Sequence, residues 1–286
     1  MRIIRSITEM REFRYALSGS VGIVPTMGCL HNGHMALVRQ SMSENTITIT
    51  SLFVNPTQFG PREDFDKYPR DEQSDIKRLE QSGVDAVFIP SSSEMYPDGF
   101  DSWVDVSGIT HVLEGACRPG HFRGVATVCS KLFNIINPTR AYFGQKDAQQ
   151  VLVIKKMVSD LNMNIEIVVV PTVREDDGLA MSSRNVYLNP SERRAASVLY
   201  KALLKAQRMY SSGERDAKAI IPAMTAIIQS EPLIRIDYVA VSDNAGLKDI
   251  EFLRSPALVS MAVFIGKTRL IDNIILSNSD VDTQAI

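Results

Sequence analysis

Two of the four histidines in this 286-residue chain, His31 and His34, lie three residues apart in Pro25-Thr26-Met27-Gly28-Cys29-Leu30-His31-Asn32-Gly33-His34. Residues three apart share one face of a helix, so both imidazoles can address one anion. An imidazole donates hydrogen bonds to phosphate oxygens and can add charge as a transition state grows more anionic. The run Val21–Pro25 before the pair reads as a strand, and MALVRQSMSE after it has helical spacing. The pair therefore falls at a helix start, where unpaired backbone N–H groups and the positive end of the dipole suit phosphate. Gly28 and Gly33 let the backbone approach a ligand closely. A zinc pair is the alternative. It needs further ligands, and only His111 and His121 remain as histidines.

Other polar groups also fall at strand ends or in loops. Lys146, in GQKD, follows a short strand-like run and precedes a helical one, a place where a cation can meet charge at phosphorus. Asp147 beside it could cap that helix or reach a nucleotide through Mg²⁺ or water. Met181-Ser182-Ser183-Arg184 combines hydroxyls with an arginine fork, a set suited to phosphate. Asn55, Gln58 and Gln150 are neutral amides that bind hydroxyls without competing charge. Arg118 and Arg123, in RPGHFRG, could hold a carboxylate or line an entrance, with His121 between them structural. Tyr68 could shape a pocket or pack in the core. Other phosphate motifs fail. No GxGxxG follows a strand, and Gly266-Lys267-Thr268 has Met261 where a P-loop requires glycine.

The elements that must carry these residues alternate. Thr46–Val54, Asp85–Pro90, Ala141–Gly144 and Ile165–Pro171 read as strands. Asp71–Ser82 reads as an amphipathic helix closed at Gly83, and Val125–Asn137 as a helix closed by Asn137-Pro138. The pattern predicts a Rossmann-like, doubly wound α/β domain with a parallel sheet, with ligands outside the C-terminal strand ends. After Pro171 the texture turns polar. Helices are expected at Pro190–Ser211 and Asp216–Gln229, then three strands, IRIDYVAVSD, ALVSMAVFIG and RLIDNIILS. We read a nucleotide-binding domain over 1–176 and a smaller α+β domain over 177–286. The run TITITSLFV could bury a subunit interface or only a core.

The bulk composition narrows the function. Hydrophobic residues are 44%, charged residues 22%, and the formal net charge is -2, which argues against an extended nucleic-acid contact. No apolar run approaches the roughly 20 residues that span a bilayer. The N-terminal stretch has no apolar signal core. Three scattered cysteines without a CxxC support neither a disulfide framework nor a cysteine zinc site, so a cytoplasmic location is expected.

PTMGCLHNGH resembles the signature of the HIGH-type nucleotidylyltransferase superfamily. More closely, the chain resembles the pantothenate synthetase family. That match runs through FVNPTQF (53–59), FDKYPR (65–70), LEGACRPGHFRGV (113–125), YFGQKDAQQ (142–150), LAMSSRN (179–185) and RLIDN (269–273), in order and over nearly the whole chain. Cys29 occupies a position that varies in the family. The resemblance implies coupling of ATP, pantoate and β-alanine through pantoyl adenylate, with Mg²⁺, in a homodimer. It implies ATP contacts from Met27, Gly28, Cys29, Leu30, His31, Asn32, Gly33 and His34. Gly144, Gln145, Lys146, Asp147, Val173, Met181, Ser182, Ser183 and Arg184 complete that set. It implies Gln58 and Gln150 for pantoate, with Gln58 also near β-alanine. The second domain would act as a lid.

Overall fold

The β-branched runs of the first half form strands of one parallel sheet, and the amphipathic runs between them form its helices. The computed structural model describes residues 1–61 and 63–277. The chain divides into two compact units: Met1–Gln145 with Gln149–Pro171, and Lys146–Ala148 with the chain from Thr172 onward.

The first unit runs β1 (Arg2–Ile4), α1 (Ile7–Tyr15), β2 (Val21–Thr26), α2 (Asn32–Glu44), β3 (Ile47–Leu52), α3 (Glu72–Ser82), β4 (Ala86–Phe88), α4 (Ser92–Met95), α5 (Glu114–Cys117), α6 (His121–Ile136), β5 (Arg140–Gly144), α7 (Ala148–Asp160) and β6 (Glu166–Val170). The sheet order is β1-β4-β3-β2-β5-β6, with every pair parallel. One face is covered by a core that includes Met10, Phe122, Leu132 and Ile154. Met35, Val38 and Leu79 from α2 and α3 pack on the other. Burial on both faces is why the central strands place β-branched or apolar residues on both faces; in β3 even Thr48 and Thr50 are buried. TITITSLFV is part of this core: β3 lies between β2 and β4, sending Ile49 to one face and Leu52 to the other.

Strand order reverses between β2 and β5, the place where such sheets open a crevice. Pro25 helps to open it. The Thr26 carbonyl accepts the Phe53 N–H on the β3 side, so Pro25, one residue earlier, faces β5. Pairing with β5 covers only Gly22 and Ile23, and the N–H that proline lacks is needed by no partner.

The second unit contains α8 (Pro190–Ala195), α9 (Val198–Ser211), α10 (Ala217–Gln229) and the strands β7 (Ile234–Asp243), β8 (Ala257–Ile265) and β9 (Thr268–Leu276). The strands form an antiparallel sheet in sequence order, and α9 and α10 pack on it through Leu203, Ile220, Met224, Val259 and Met261. The division at Pro171/Thr172 coincides with the change of texture and comes earlier in the chain than the boundary read at 176/177. The intervening residues pair forward, Arg174 bridging to Ala180 and the Met181 N–H donating to the Val173 carbonyl.

Three local features differ from the sequence expectation. The helix expected over Pro190–Ser211 is two, broken at Ala196–Ser197. The helix expected from Val125 begins at His121. Within it, Gly124 lies against the turn Pro56–Gln58, and a Cβ there would meet the Thr57 carbonyl oxygen at 2.4 Å. The elements β1 and α1 lie in the charged N-terminal stretch, for which no element is expected from the sequence. Among the described residues no helix is long and apolar enough to cross a membrane.

Candidate active site

The two histidines meet as a capping box. His31 is the N-cap of α2, and its Nδ1 accepts the Gly33 N–H at 3.1 Å. His34, at the third helical position, accepts the His31 N–H on its own Nδ1 at 3.3 Å. The ring centroids are 4.0 Å apart. With both Nδ1 atoms accepting, each neutral ring carries its proton on Nε2. Each ring is then a donor at the N-terminus of a 13-residue helix.

The loop before them is clamped by α3, a feature absent from the sequence expectations. Asp75, 4% exposed, accepts the Cys29 N–H at 2.8 Å and the Leu30 N–H at 2.7 Å. Arg78, one helical turn further on, donates to the Leu30 carbonyl at 2.5 Å and the Asn32 side chain at 3.0 Å. Gly28 and Cys29 both take positive φ, +82° and +49°. A Cβ on Gly28 would lie 2.9 Å from Asp75 Oδ2, so glycine is needed there for space as well as for backbone angle. Burial raises the Asp75 pKa above the ordinary carboxylate value, and the two backbone N–H groups oppose that shift. The signal that could have found it is periodicity: Asp75 stands four residues before Leu79 on the inward stripe of a charged helix. Asp75→Asn keeps the shape but turns an NH₂ toward a backbone N–H, a mismatch that costs about 1–3 kcal/mol. The expected result is a raised KM for ATP and a lower thermal midpoint, read by steady-state kinetics and calorimetry. An unchanged KM would show that the loop holds its shape without the carboxylate.

Beside the loop, Gln58 and Asn55 are buried at 8% and 1% exposure. Gln58 Nε2 donates to Met27 Sδ at 3.0 Å and Gln58 Oε1 accepts from Asn55 Nδ2 at 3.1 Å. Asn55 Nδ2 also donates to the Gly124 carbonyl at 3.2 Å, while its Oδ1 accepts from Thr57 Oγ1 at 2.9 Å and Tyr96 OH at 2.8 Å. Asn55 is thus engaged by protein on both ends and fixes the orientation of Gln58. Arg118 has its fork on Glu63, Nε to Oε1 at 2.9 Å and Nη2 to Oε2 at 2.6 Å. Arg123 is exposed, its guanidinium 4.3 Å from the Trp103 ring centroid. Tyr68 is buried edge-on to Phe59, and Gln150 is half-buried on α7.

His121 is structural. Its Nδ1 can only donate to the Gln58 carbonyl, at 2.9 Å, which leaves Nε2 to accept from Arg118 Nη1 at 3.2 Å. Burial, then the Arg118 charge, push its pKa from 6.5 down to about 4. The unfolded chain therefore binds a proton between about pH 6.5 and pH 4 that the folded chain does not. The stability from neutral His121 is complete above pH 6.5 and lost as pH falls to about 4, a swing of about 3 kcal/mol. Chemical denaturation between pH 7 and pH 4 is expected to show this loss and His121→Gln to flatten it. Equal slopes for the two proteins would refute the assignment.

At the end of β5, a Cβ on Gly144 would find open space, and Gln145–Asp147 form a 3₁₀ turn before α7. Lys146, with 20% of its side chain exposed, has Nζ 3.4 Å from Asp147 Oδ1. In the second unit Ser182 caps the 3₁₀ turn Ser183–Tyr187 by accepting the Arg184 N–H at 3.3 Å, and Ser183 is buried. Among the described residues no cluster of three or more His, Cys, Asp or Glu could hold a metal ion.

The strand order, the reversal between β2 and β5, and the polar loops that follow both strands define a doubly wound, Rossmann-like α/β protein with a smaller antiparallel second sheet. Residues 2–275 match the model of the pantoate–β-alanine ligase family. The pantothenate synthetase of Roseiflexus sp. (strain RS-1) is 59% identical over 276 residues, 96% of this chain and 99% of that protein. The pantothenate synthetase of Acetivibrio thermocellus is 55% identical over 279 residues, 96% of this chain and 99% of that protein. The crystal structure of pantothenate synthetase from Thermus thermophilus superimposes with a TM-score of 0.92 at 47% identity, covering 96% of this chain and 99% of that one. That of pantoate–β-alanine ligase from Francisella tularensis, complexed with β,γ-ATP and β-alanine, gives 0.80 at 36% identity over 96% and 97%. The chain belongs to the pantoate–β-alanine ligase family. It is an enzyme, a ligase that joins pantoate to β-alanine.

Proposed function

We propose that the ligation proceeds by in-line adenylyl transfer, with the residues above in the following roles. The pantoate carboxylate, already a nucleophile at neutral pH, attacks the α-phosphorus of ATP. Pyrophosphate leaves and pantoyl adenylate forms. The neutral amine of β-alanine then attacks the acyl carbonyl, and AMP leaves with the pair of electrons from the broken C–O bond. Neither displacement needs a covalent enzyme intermediate, so catalysis rests on positioning and charge stabilisation.

The observation that carries this reading is the imidazole capping box at the start of α2, two Nε2–H donors beside a helix N-terminus. His31 and His34 bind the triphosphate and support the departing pyrophosphate. Lys146 offsets charge on the α- and β-phosphates. Ser182, Ser183 and Arg184 bind phosphate oxygens, and the backbone at Met27–Gly33, Gly144–Gln145, Val173 and Met181 surrounds the nucleotide. Gln58 and Gln150 bind pantoate hydroxyls. Asn55 acts behind Gln58, and Arg118, held by Glu63, fixes the wall through His121 and the Gln58 carbonyl. Mg²⁺ enters as the companion of ATP, since it retains waters and takes one or two carboxylates plus substrate phosphates. Asp147, half exposed, is the carboxylate suited to reach it. The ion would neutralise phosphate charge. The reading includes a homodimer working in the cytoplasm, and sedimentation velocity tests the former.

The direct experiment supplies ATP and pantoate and withholds the amine. Mass spectrometry is expected to find pantoyl adenylate and an equal amount of pyrophosphate. Pantothenate formed on adding β-alanine, with no adenylate ever detected and no pantoate-dependent ATP–pyrophosphate exchange, would overturn the two-step reading.

A further inference from the structure

Of the motifs that carry the family resemblance, Arg269-Leu270-Ile271-Asp272-Asn273 has no part in the mechanism above. It lies on β9, where Asp272 and Asn273, as neighbours in a strand, point to opposite faces of the sheet. Asp272 pairs with Met261 on the face that α9 and α10 cover, and is 1% exposed. A carboxylate at that depth must be answered by charge. Arg174 supplies it in fork geometry, Nη1 to Oδ2 at 2.6 Å and Nη2 to Oδ1 at 3.0 Å. Arg174 also donates to the Gly178 carbonyl at 3.0 Å, and its guanidinium lies 4.2 Å from the Tyr200 ring centroid. With the Arg174–Ala180 bridge and the bond from the Met181 N–H to the Val173 carbonyl, this ion pair staples the base of the loop that ends in Met181–Arg184.

Asn273, 5% exposed, faces the other way, in register with Ser260. Its Nδ2 donates to the carbonyl of Lys146 at 2.8 Å, across 127 positions of sequence. Its own N–H donates to Asp272 Oδ1 at 2.8 Å, which ties the two arms together. Lys146–Ala148 cluster with the second unit even though the chain on either side of them belongs to the first.

We infer that Asn273 is a positioning residue for adenylyl transfer: its side-chain amide fixes the main chain of Lys146, and the Asp272–Arg174 pair next to it fixes the loop of Ser182–Arg184. A backbone carbonyl held at one point limits where a four-carbon side chain can place its ammonium. Nothing in this requires Asn273 to touch a substrate. The inference rests on the phosphate role proposed for Lys146.

The test uses Asn273→Ala, which removes the donor, and Asn273→Thr, which keeps bulk and strand propensity but does not reach the Lys146 carbonyl. Both are made in the full-length enzyme and in a Lys146→Ala background. In the enzyme with Lys146, each is expected to slow the kcat of pantoate-dependent ATP–pyrophosphate exchange about 10- to 100-fold, the scale of an ångström-sized misplacement. KM for pantoate is expected to stay within about threefold. With Lys146 already removed, the same substitutions are expected to change the residual rate by less than about threefold, because a positioning residue has nothing left to position. The same factor in both backgrounds would overturn the inference and leave Asn273 a general structural residue. So would folded Asn273 variants that exchange within about threefold of the unsubstituted enzyme. Lys146→Ala exchanging at the normal rate would instead refute the role of Lys146 itself.

Discussion

Replacing Lys146 with alanine is expected to slow pantoate-dependent ATP–pyrophosphate exchange by about 10²–10³-fold, the scale for losing one preorganised charge donor. The size follows from where the ammonium sits. It is four-fifths covered, close to one half-exposed carboxylate, and the nearby buried carboxylate of Asp272 is already answered by Arg174. Water cannot replace its charge in place, because a solvated substitute must reorganise when phosphorus becomes five-coordinate. Lys146→Arg is expected to restore little, since a planar fork does not occupy the volume of a compact ammonium. Thermal midpoints of both variants are expected to stay close to that of the unsubstituted protein, which separates lost chemistry from lost folding. Exchange at near-normal rate in a folded Lys146→Ala protein would remove the lysine from the mechanism.

The second large effect concerns His31 and His34. Alanine at either position removes two things together, a cap on α2 and a donor at its N-terminus. His31→Asn separates them. Asparagine is among the best N-caps, so it restores helix-start stability, about 1 kcal/mol, without placing a donor where Nε2 stands. The expected result is a thermal midpoint for His31→Asn near that of the unsubstituted protein, with exchange still slowed about 10²-fold or more. Recovery of exchange along with stability would mean that His31 serves the helix and that His34 alone serves the phosphates. His34→Ala is expected to lose exchange to a similar extent, and its KM for ATP tells whether the contact is made in the ground state or only later.

The sheet is legible in the sequence because its central strands are buried on both faces and leave β-branched runs such as ITITSL; IEIVVVP keeps that pattern at the sheet edge, where only Val170 of β6 is buried. The position of the histidines is legible for a related reason: a strand, a glycine and a helical pattern follow one another without a gap. What stays hidden is tertiary in origin. Strand β1 has only three residues, too few for a pattern, although Ser6 and Glu9 of the helix after it carry the spacing of an N-cap signal, and Ser6 does accept the Glu9 N–H. Helix α6 reads four residues short because Arg118-Pro119-Gly120-His121 looks like a polar loop, while His121 is buried under Gln58. Arg118 reads as a residue that could hold a ligand carboxylate or line an entrance. Its partner is Glu63, 55 positions away, and no local pattern reports a pairing of that range. Asn55, which its side-chain chemistry groups with Gln58 as a substrate contact, is buried behind it.

The carboxylate of Asp75 gives the Met27–His31 segment an unusual character for irregular chain. The amides of Cys29 and Leu30 belong to no helix or strand, yet both end on one buried anion. Deuterium uptake at these two amides is therefore expected to be as slow as in the neighbouring strand β2. On the proposed assignment, a nucleotide bound here would meet backbone that is already ordered, so little entropy would be lost in arranging it at the moment of binding. That leaves more of the interaction free energy to favour the pentacovalent state over bound ATP.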